Sequence, residues 1–212
     1  MFDNNLYKKA SFLLSAPELA ALPADQGIEV AFAGRSNVGK SSVLNTLTHN
    51  SKLARTSKTP GRTQAINLFT LDDVRRLADL PGYGYAKVAK SLRASWGRTL
   101  ADYLYQRECL HGLVLIMDIR HPLKPMDCLL LDWAVSQQRA LHVVLSKADK
   151  LSNNQVKQTC FKVEKHLADA GVIASLQAFS SLKRQGAEQL CAVLNEWFAL
   201  DDDDEASDTQ TL

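Results

Sequence analysis

The chain has 212 residues, of which 46% are apolar and 23% charged, the composition of an ordinary soluble globular domain. No run of about 18 apolar residues is present, which excludes a bilayer-spanning helix, and residues 1–10 lack the apolar core of a secretory signal. We therefore expect a cytoplasmic protein with one α/β domain and short extensions at each end.

Cysteine and histidine give no sign of a metal centre. The four cysteines are dispersed without a C-x-x-C pair, so neither a zinc site nor a disulfide framework is predicted. The five histidines are equally dispersed. His142 lies inside an apolar run, where a core histidine with satisfied ring nitrogens is the better interpretation than a ligand.

The charge of the chain is unevenly distributed. Residues 201–212 contain six of its 23 acidic residues and none of its 25 basic ones, so residues 1–200 carry a net charge of +8. A basic body of this kind suits a polyanionic partner, of which RNA is the first candidate. The alternative is a basic surface that only keeps the protein soluble.

The chain divides into three segments. Residues 1–27 form an N-terminal extension with irregular backbone at its prolines, in which the apolar residues 12–14 are expected to pack on the domain. Residues 28–199 form the domain. Residues 200–212 are acidic, cannot bury apolar surface and are expected to be disordered.

The most specific motif is the P-loop, Gly34 to Ser41, in which two glycines spaced by four residues are followed by Lys40 and Ser41. An apolar strand predicted over residues 28–33 precedes it, and periodic apolar residues from Val43 onward predict a helix after it. In such a loop the backbone N–H groups wrap a polyphosphate, Lys40 reaches the β- and γ-phosphates, and the Ser41 hydroxyl binds Mg²⁺. The alternative is a glycine-bearing turn that binds no ligand.

Strands and helices alternate through the rest of the chain. Apolar segments at 65–71 and 74–80 predict a hairpin. Further strands are predicted at 113–117, 141–145 and 172–179, and helices at 92–104, 126–134, 156–167 and 190–198. This alternation is typical of a mostly parallel six-stranded sheet with one antiparallel strand and helices on both faces, as in P-loop NTPases. Ligands of such sheets bind at the carboxyl ends of the strands.

Two further segments provide groups for a triphosphate and its metal. Asp79 supplies a carboxylate for Mg²⁺, directly or through water, and Gly82 supplies an N–H that can approach a γ-phosphate closely. In the polar, basic loop 49–64, either Thr59 or Thr63 can bring a second hydroxyl to the metal.

Two later clusters suit the recognition of a base. Asp149 follows a predicted strand and offers two acceptor oxygens that match two adjacent donors on a guanine edge, a pair that adenine does not present. Ser180 and Ser181 follow the last predicted strand and would place backbone N–H groups near the base carbonyl.

Together these segments resemble the EngB (also YihA or YsxC) group of translation-factor-like GTPases. The matching segments are Gly34 to Ser42, Thr59 to Gln64, Asp79 to Ala86, Ser146 to Asp149 and Phe179 to Lys183. The resemblance implies a Ras-like G domain that binds GTP and GDP and hydrolyses GTP. It also implies a role in assembly of the large ribosomal subunit in bacteria, through ribosomal RNA, with a link to cell division and septation. We expect a monomer.

The resemblance also assigns site residues. It makes Thr63 the switch threonine that completes the Mg²⁺ shell with Ser41 and Asp79, and it gives the catalytic role to Lys40 and Thr63 without a side-chain base. The expected GTP-binding residues are Gly34, Arg35, Ser36, Asn37, Val38, Gly39, Lys40, Ser41, Ser42, Gly61, Arg62, Thr63, Gln64, Asp79, Leu80, Pro81, Gly82, Ser146, Lys147, Asp149, Phe179, Ser180 and Ser181.

Two positions depart from the usual pattern of such GTPases. Ser146 stands where Asn or Thr is commoner, and because Ser keeps the hydroxyl of Thr, we expect guanine selectivity to survive. Tyr83 stands where Ras-like enzymes carry the Gln that orients the attacking water. An aromatic ring cannot orient water in that way, so slow intrinsic hydrolysis is predicted.

Asn37 provides a separate hypothesis. By resemblance to GTPases that carry Asn at this position of the P-loop and bind K⁺ there, we expect Asn37 to coordinate a K⁺ ion that stands in for an arginine finger. The alternative is that Asn37 only hydrogen-bonds within the loop.

Basic and aromatic residues cluster in the two segments nearest the expected γ-phosphate, so nucleotide state could order or release an RNA-binding surface. Its residues are Lys52, Arg55, Lys58 and Arg62 in one segment and Lys87, Lys90, Arg93 and Arg98, with Tyr83, Tyr85 and Trp96, in the other. Trp96 shares a helical stripe with Leu92 and Leu100, so for Trp96 a place in the core is the better interpretation.

Two other functions stay open at this point. One is an ATP-dependent enzyme or small-molecule kinase on the same fold, which a guanine preference that depends on Asp149 would exclude. The other is a GTP-dependent binding protein for a cell-division partner, with incidental hydrolysis.

Overall fold

The computed structural model describes residues 5–54, 65–83 and 98–199. Expectations for residues outside these ranges stay predictions. They concern Thr63 with its neighbours Gly61, Arg62, Gln64 and Thr59, the basic residues Arg55, Lys58, Lys87, Lys90 and Arg93, the aromatic residues Tyr85 and Trp96, and the acidic segment 200–212.

A seven-stranded sheet forms the centre of the fold. Its strands are β1 (Ser11–Ala16), β2 (Ile28–Gly34), β3 (Ile66–Thr70), β4 (Arg75–Asp79), β5 (Leu110–Asp118), β6 (Ala140–Ser146) and β7 (Ser175–Ala178). They lie in the order β1-β3-β4-β2-β5-β6-β7. Only β3 runs against the others, because it pairs antiparallel with both β1 and β4 while all other pairs are parallel. The predicted fold class is confirmed, but the predicted number of six strands is wrong.

The additional strand is β1, within the segment expected to be an irregular extension. It pairs with β3, and its register shifts between Phe12 and Leu14. This irregularity interrupts the two-residue alternation by which a strand is recognised in a sequence. Phe12 and Leu13 are largely exposed, whereas Leu14 packs against the core and the Phe12 ring meets Phe69 edge-on.

The described residues form six α-helices, with short 3-10 turns at Leu19–Ala21 and Ala148–Lys150. The helices are α1 (Asn5–Lys8), α2 (Lys40–Leu47), α3 (Arg98–Gln106), α4 (Pro125–Ser136), α5 (Asn153–Asp169) and α6 (Ala187–Trp197). None of these helices combines the length and hydrophobicity needed to cross a membrane.

Helices cover both faces of the sheet, as the sequence predicts. Successive residues of β2 alternate between two core clusters, because neighbouring side chains of a strand point to opposite faces. Val30 and Phe32 pack in one cluster with residues of α2 and α6. Ala31 and Ala33 pack in the other with residues of α3, α4 and α5.

The register of the strands brings their carboxyl ends to one edge. Gly34 at the end of β2 lies opposite Ile116, and Asp118 at the end of β5 lies opposite Ser146 at the end of β6. On the other side of β2, the parallel strand β4 ends at Asp79. Three of the polar segments singled out in the sequence, those at Gly34, Asp79 and Ser146, therefore begin at this edge.

A buried polar cluster surrounds Glu29 near the opposite end of the sheet. The Glu29 carboxylate accepts hydrogen bonds from Arg76 Nε at 2.8 Å, Arg107 Nη2 at 2.6 Å and the Tyr103 hydroxyl at 2.9 Å. Burial alone would raise the pKa of Glu29, but these partners lower it below its ordinary value. Because Tyr103 lies in α3 and Arg107 directly follows it, the cluster fastens the end of α3 to β2 and β4.

Candidate functional site

The P-loop connects β2 to α2, and its shape depends on its glycines. A Cβ atom on Gly34 would lie 2.5 Å from the Ile116 carbonyl oxygen, so no larger residue fits without movement. Gly39, which precedes α2, has a φ of 109°, a conformation that other residues rarely adopt. The turn makes Lys40 the first residue of α2, where the helix dipole favours an anion.

Ser41 and Asp79 come together below the P-loop. The Ser41 hydroxyl lies 3.5 Å from Asp79 Oδ2, and the other carboxylate oxygen, Oδ1, is buried with no hydrogen-bond partner in the described part of the chain. Burial raises the pKa of Asp79, against the opposing effects of the Lys40 charge and the Ser41 hydrogen bond. A buried, unpartnered carboxylate oxygen beside a hydroxyl fits a hard cation, so these two residues would hold Mg²⁺, directly or through water.

Gly82 and Tyr83 lie directly against the P-loop. The Ser36 N–H donates to the Tyr83 carbonyl at 3.0 Å, and the Ser36 hydroxyl donates to the Gly82 carbonyl at 3.2 Å. A Cβ atom on Gly82 would stand 2.7 Å from Ser36 Oγ and 3.0 Å from its Cα. Only glycine therefore allows the backbone of this segment to approach the P-loop so closely.

The side chain of Tyr83 points into the protein. Its hydroxyl donates to Asp127 Oδ1 at 2.7 Å, and the residue is 4% exposed. The prediction that Tyr83 belongs to an exposed RNA-binding surface is therefore wrong, because a buried carboxylate holds its ring in the interior. Arg98, from the same predicted surface, does have a side chain that is 92% exposed.

Ser146 and Lys147 attach the base-recognition segment, residues 146–149, to the P-loop. Ser146 Oγ donates to the Val38 carbonyl oxygen at 2.7 Å, and Lys147 Nζ donates to the Asn37 carbonyl oxygen at 2.8 Å. Side chains at the end of β6 and directly after it therefore contact the loop that follows β2.

Asp149 is held in place by Ser180. The Ser180 hydroxyl donates to Asp149 Oδ1 at 2.8 Å, and Lys150 Nζ lies 3.4 Å from Oδ2. The Ser180 hydrogen bond is the main reason that the pKa of Asp149 lies below its ordinary value. The Ser180 N–H donates to the Gln185 carbonyl at 3.1 Å, so the expectation that this N–H faces a base is wrong. The same expectation for Ser181 stays a prediction.

The remaining expected binding residues in the described ranges lie in the same segments. Leu80 and Phe179 are buried, and their N–H groups donate to the carbonyls of neighbouring strands at 3.0 and 2.8 Å. Arg35, Ser42 and Pro81 are partly exposed.

Asp118 belongs to the site, although the sequence analysis did not assign it. Its Oδ2 accepts hydrogen bonds from Lys147 Nζ at 3.0 Å and from Arg120 Nη2 at 2.6 Å. Burial alone would raise the pKa of Asp118, but these partners hold it well below its usual range. The ionised carboxylate orients Lys147 on the P-loop. Its position in the sequence could have indicated this role, because Asp118, like Asp79, comes at the end of a buried strand.

Residues 29–147 of the chain match the family model described as 50S ribosome-binding GTPase. The match covers more than half of the chain, and it includes the P-loop, Asp79, Gly82 and the start of the base-recognition segment.

Solved structures of similar fold come from several proteins. A probable GTP-binding protein engB has 21% identity and a TM-score of 0.60, over 81% of this chain and 98% of that chain. A bacterial selenocysteine-specific elongation factor, EF-Sec, has 20% identity and a TM-score of 0.59, over 82% of this chain and 29% of that chain. Era, in complex with MgGDPNP and a fragment of 16S ribosomal RNA, has 20% identity and a TM-score of 0.62, over 81% of this chain and 57% of that chain. The chain thus spans under a third of EF-Sec and little more than half of Era, and these likenesses show the fold alone.

Proposed function

Since the chain belongs to the 50S ribosome-binding GTPase family and is a GTPase with a Ras-like G domain, we propose that it is a nucleotide-controlled switch in assembly of the large ribosomal subunit. In its GTP form it docks on a pre-ribosomal particle through ribosomal RNA, and it leaves after hydrolysis. We further propose that it is of the EngB type, acts as a monomer in the cytoplasm, and affects cell division and septation through this role.

The observation that supports the proposal best is the meeting of the P-loop, Asp79 and the base-recognition segment at one edge of the sheet. The charge of Lys40 acts on Asp79, and Lys147 Nζ donates to the Asn37 carbonyl at 2.8 Å. These contacts support a single site with groups for a triphosphate, its metal and its base, as a guanine nucleotide requires.

Each group has one task in the proposed mechanism. The P-loop backbone and Lys40 bind the β- and γ-phosphates and balance the negative charge that develops during transfer of the γ-phosphoryl group to water. Ser41 and Asp79 would hold Mg²⁺, which would supply further electrostatic stabilisation of that charge. Because the Tyr83 ring is buried against Asp127, it does not orient the attacking water, and we expect slow intrinsic hydrolysis.

Sedimentation with isolated ribosomal subunits tests the ribosomal role. We expect the protein to sediment with the large subunit in the presence of a non-hydrolysable GTP analogue and to stay in the supernatant with GDP. The small subunit is the matched control. Equal sedimentation in both nucleotide states, or binding to neither subunit, would contradict the proposal. Binding of the GTP form to a cell-division protein alone would favour the alternative function.

Nucleotide competition tests base selectivity. We expect GTP, but not ATP, to displace bound GDP from the wild-type protein, and Asp149→Asn to relax this preference because the carboxylate accepts two guanine hydrogen bonds. Asp169→Asn is a matched control, because Asp169 pairs with Lys165 on the exposed surface of α5. Equal displacement by ATP and GTP in the wild type would favour an ATP-dependent enzyme.

We also propose that Asn37 coordinates K⁺ and that the ion speeds hydrolysis. Asn37 lies in the P-loop and is exposed, so an ion from solvent can reach its side chain. Hydrolysis with ribosomal subunits present should be faster in K⁺ than in Na⁺ buffer. Equal rates in the two buffers would leave Asn37 with a role inside the loop only.

A further inference from the structure

The hydrogen bond between Tyr83 and Asp127 connects the segment that contacts the P-loop to α4. The Tyr83 hydroxyl lies 2.7 Å from Asp127 Oδ1, and the two residues are only 4% and 1% exposed. A short hydrogen bond from a hydroxyl to a buried carboxyl group is strong and directional. The ring of Tyr83 is therefore fixed relative to α4.

Asp127 is itself held rigidly at the start of α4. Its other oxygen, Oδ2, accepts a hydrogen bond from the Lys124 N–H at 3.0 Å, as the third residue of a helix does in a capping box. Pro125 occupies the first turn and restricts the backbone there. The acceptor for Tyr83 thus stands on a fixed support.

The backbone beside Tyr83 is fastened on its other side to the P-loop. The Ser36 N–H donates to the Tyr83 carbonyl at 3.0 Å, and the Ser36 hydroxyl donates to the Gly82 carbonyl at 3.2 Å. Tyr83 is therefore attached through its backbone to the P-loop and through its side chain to α4. Together these contacts define the position of Gly82.

We propose that Asp127 is a positioning residue for the nucleotide site: by anchoring Tyr83, it holds the Gly82 N–H ready for the γ-phosphate and so favours GTP over GDP. This inference rests on the proposed function, in which Gly82 contacts the γ-phosphate. GDP has no γ-phosphate and makes no such contact. Loss of the anchor therefore weakens the binding of GTP alone, because the freed segment must then be ordered when GTP binds.

The substitution Tyr83→Phe tests the inference, because it removes only the hydroxyl. We expect the affinity for a non-hydrolysable GTP analogue, relative to that for GDP, to fall about five- to tenfold. Isothermal titration calorimetry with each nucleotide and Mg²⁺ gives both dissociation constants. Tyr103→Phe is the matched control: it removes a buried hydroxyl that donates to Glu29 at 2.9 Å near the other end of the sheet, and its affinity ratio should equal that of the wild type.

Asp127→Asn supplies a second measurement, since a neutral amide oxygen is a weaker acceptor than a carboxylate. Its ratio of GTP-analogue to GDP affinity should also fall. In the double variant this ratio should fall no further than in Tyr83→Phe, because both changes affect one interaction. If Tyr83→Phe does not fold, the ratio for Asp127→Asn decides the question.

The inference would be overturned if the ratio of GTP-analogue to GDP affinity were unchanged in the folded variants, or if it fell equally in Tyr103→Phe. The Tyr83–Asp127 contact would then have only a structural role. Failure of the proposed site would look different. In that case the wild-type protein would bind neither nucleotide.

Discussion

Lys147 donates hydrogen bonds to two acceptors at the edge of the sheet where the carboxyl ends of the strands meet. Its Nζ donates to the Asn37 carbonyl oxygen at 2.8 Å and to Asp118 Oδ2 at 3.0 Å. The first contact orders the P-loop, and the second fixes the lysine that makes it. We therefore expect Asp118 to influence nucleotide binding indirectly, through its hydrogen bond with Lys147.

We expect Asp118→Asn to weaken the binding of both GDP and GTP by about tenfold, because it replaces the ion pair with Lys147 by a weaker hydrogen bond to a neutral amide oxygen. Displacement of a fluorescent guanine nucleotide measures the effect. Asp169→Asn serves as the control, because its ion pair with Lys165 lies on exposed α5, and it should bind as the wild type does. Wild-type affinity in Asp118→Asn would show that Lys147 needs no such partner.

Motif spacing predicted which residue types occupy the site, but not where every side chain points. Lys40, Ser41 and Asp79 could be predicted because a phosphate loop and its metal require those groups at those places. The direction of Tyr83 depends on a carboxylate 44 positions away in the sequence, at Asp127, which no local pattern reveals. In the same way, the Ser180 N–H was assigned to a base although a tight turn already uses it.

Strands β6 and β7 are joined by side chains as well as by their backbones. His142 on β6 is fully buried, with Nδ1 2.7 Å from Ser175 Oγ and Nε2 3.0 Å from Gln177 Oε1 on β7. The prediction of a satisfied core histidine is confirmed. Burial lowers the pKa of His142 to about 4 from 6.5.

This shift predicts a pH-dependent stability. Between pH 6.5 and about 4 the unfolded chain binds a proton at His142 that the folded chain does not, so stability falls as the pH decreases through this range. Between about pH 7 and pH 4.5, the free energy of unfolding should fall by about 2 kcal/mol less in His142→Gln than in the wild type. Urea denaturation at each pH measures it. The same pH dependence in wild type and variant would contradict the prediction.

The junction of α3 with the sheet predicts a second stability effect. Arg107 donates to both Glu29 oxygens, at 3.1 and 2.6 Å, so Arg107→Ala leaves a fully buried carboxylate with fewer partners. We expect the free energy of unfolding to fall by about 3 to 5 kcal/mol, as measured by urea denaturation.

Arg98→Ala, at the other end of α3, is the matched control. The Arg98 side chain is 92% exposed and pairs with Asp102 at 3.5 Å, so its removal should change stability by at most about 0.5 kcal/mol. A similar fall in the free energy of unfolding in Arg107→Ala and Arg98→Ala would show that the buried cluster around Glu29 does not anchor the helix.

Across the whole molecule, the predictable part of the structure is the part governed by periodicity and topology. Alternating strands and helices imply a mainly parallel sheet, and parallel strands imply that the segments at Gly34, Asp79 and Asp149 share an edge. The structure places them so. Strand β1 was missed because its register shift between Phe12 and Leu14 removes the alternation.

The basic charge of residues 1–200, +8, predicts a salt-dependent association with the large ribosomal subunit. Lys52 is exposed in the segment after α2, and Lys52→Gln should reduce the slope of log affinity against log salt concentration by about 1. Lys165→Gln is the control, because Lys165 already pairs with Asp169 at 2.8 Å. A wild-type slope no steeper than that of a neutral protein would exclude contacts with phosphates.

The hydrogen bonds from Ser146 and Lys147 to the carbonyls of Val38 and Asn37 tie two distant stretches of chain together. Displacement of either stretch should strain the other, and we expect the guanosine and polyphosphate parts of a bound nucleotide to loosen together. We therefore expect that a factor that speeds GDP dissociation would need to contact only one of the two stretches.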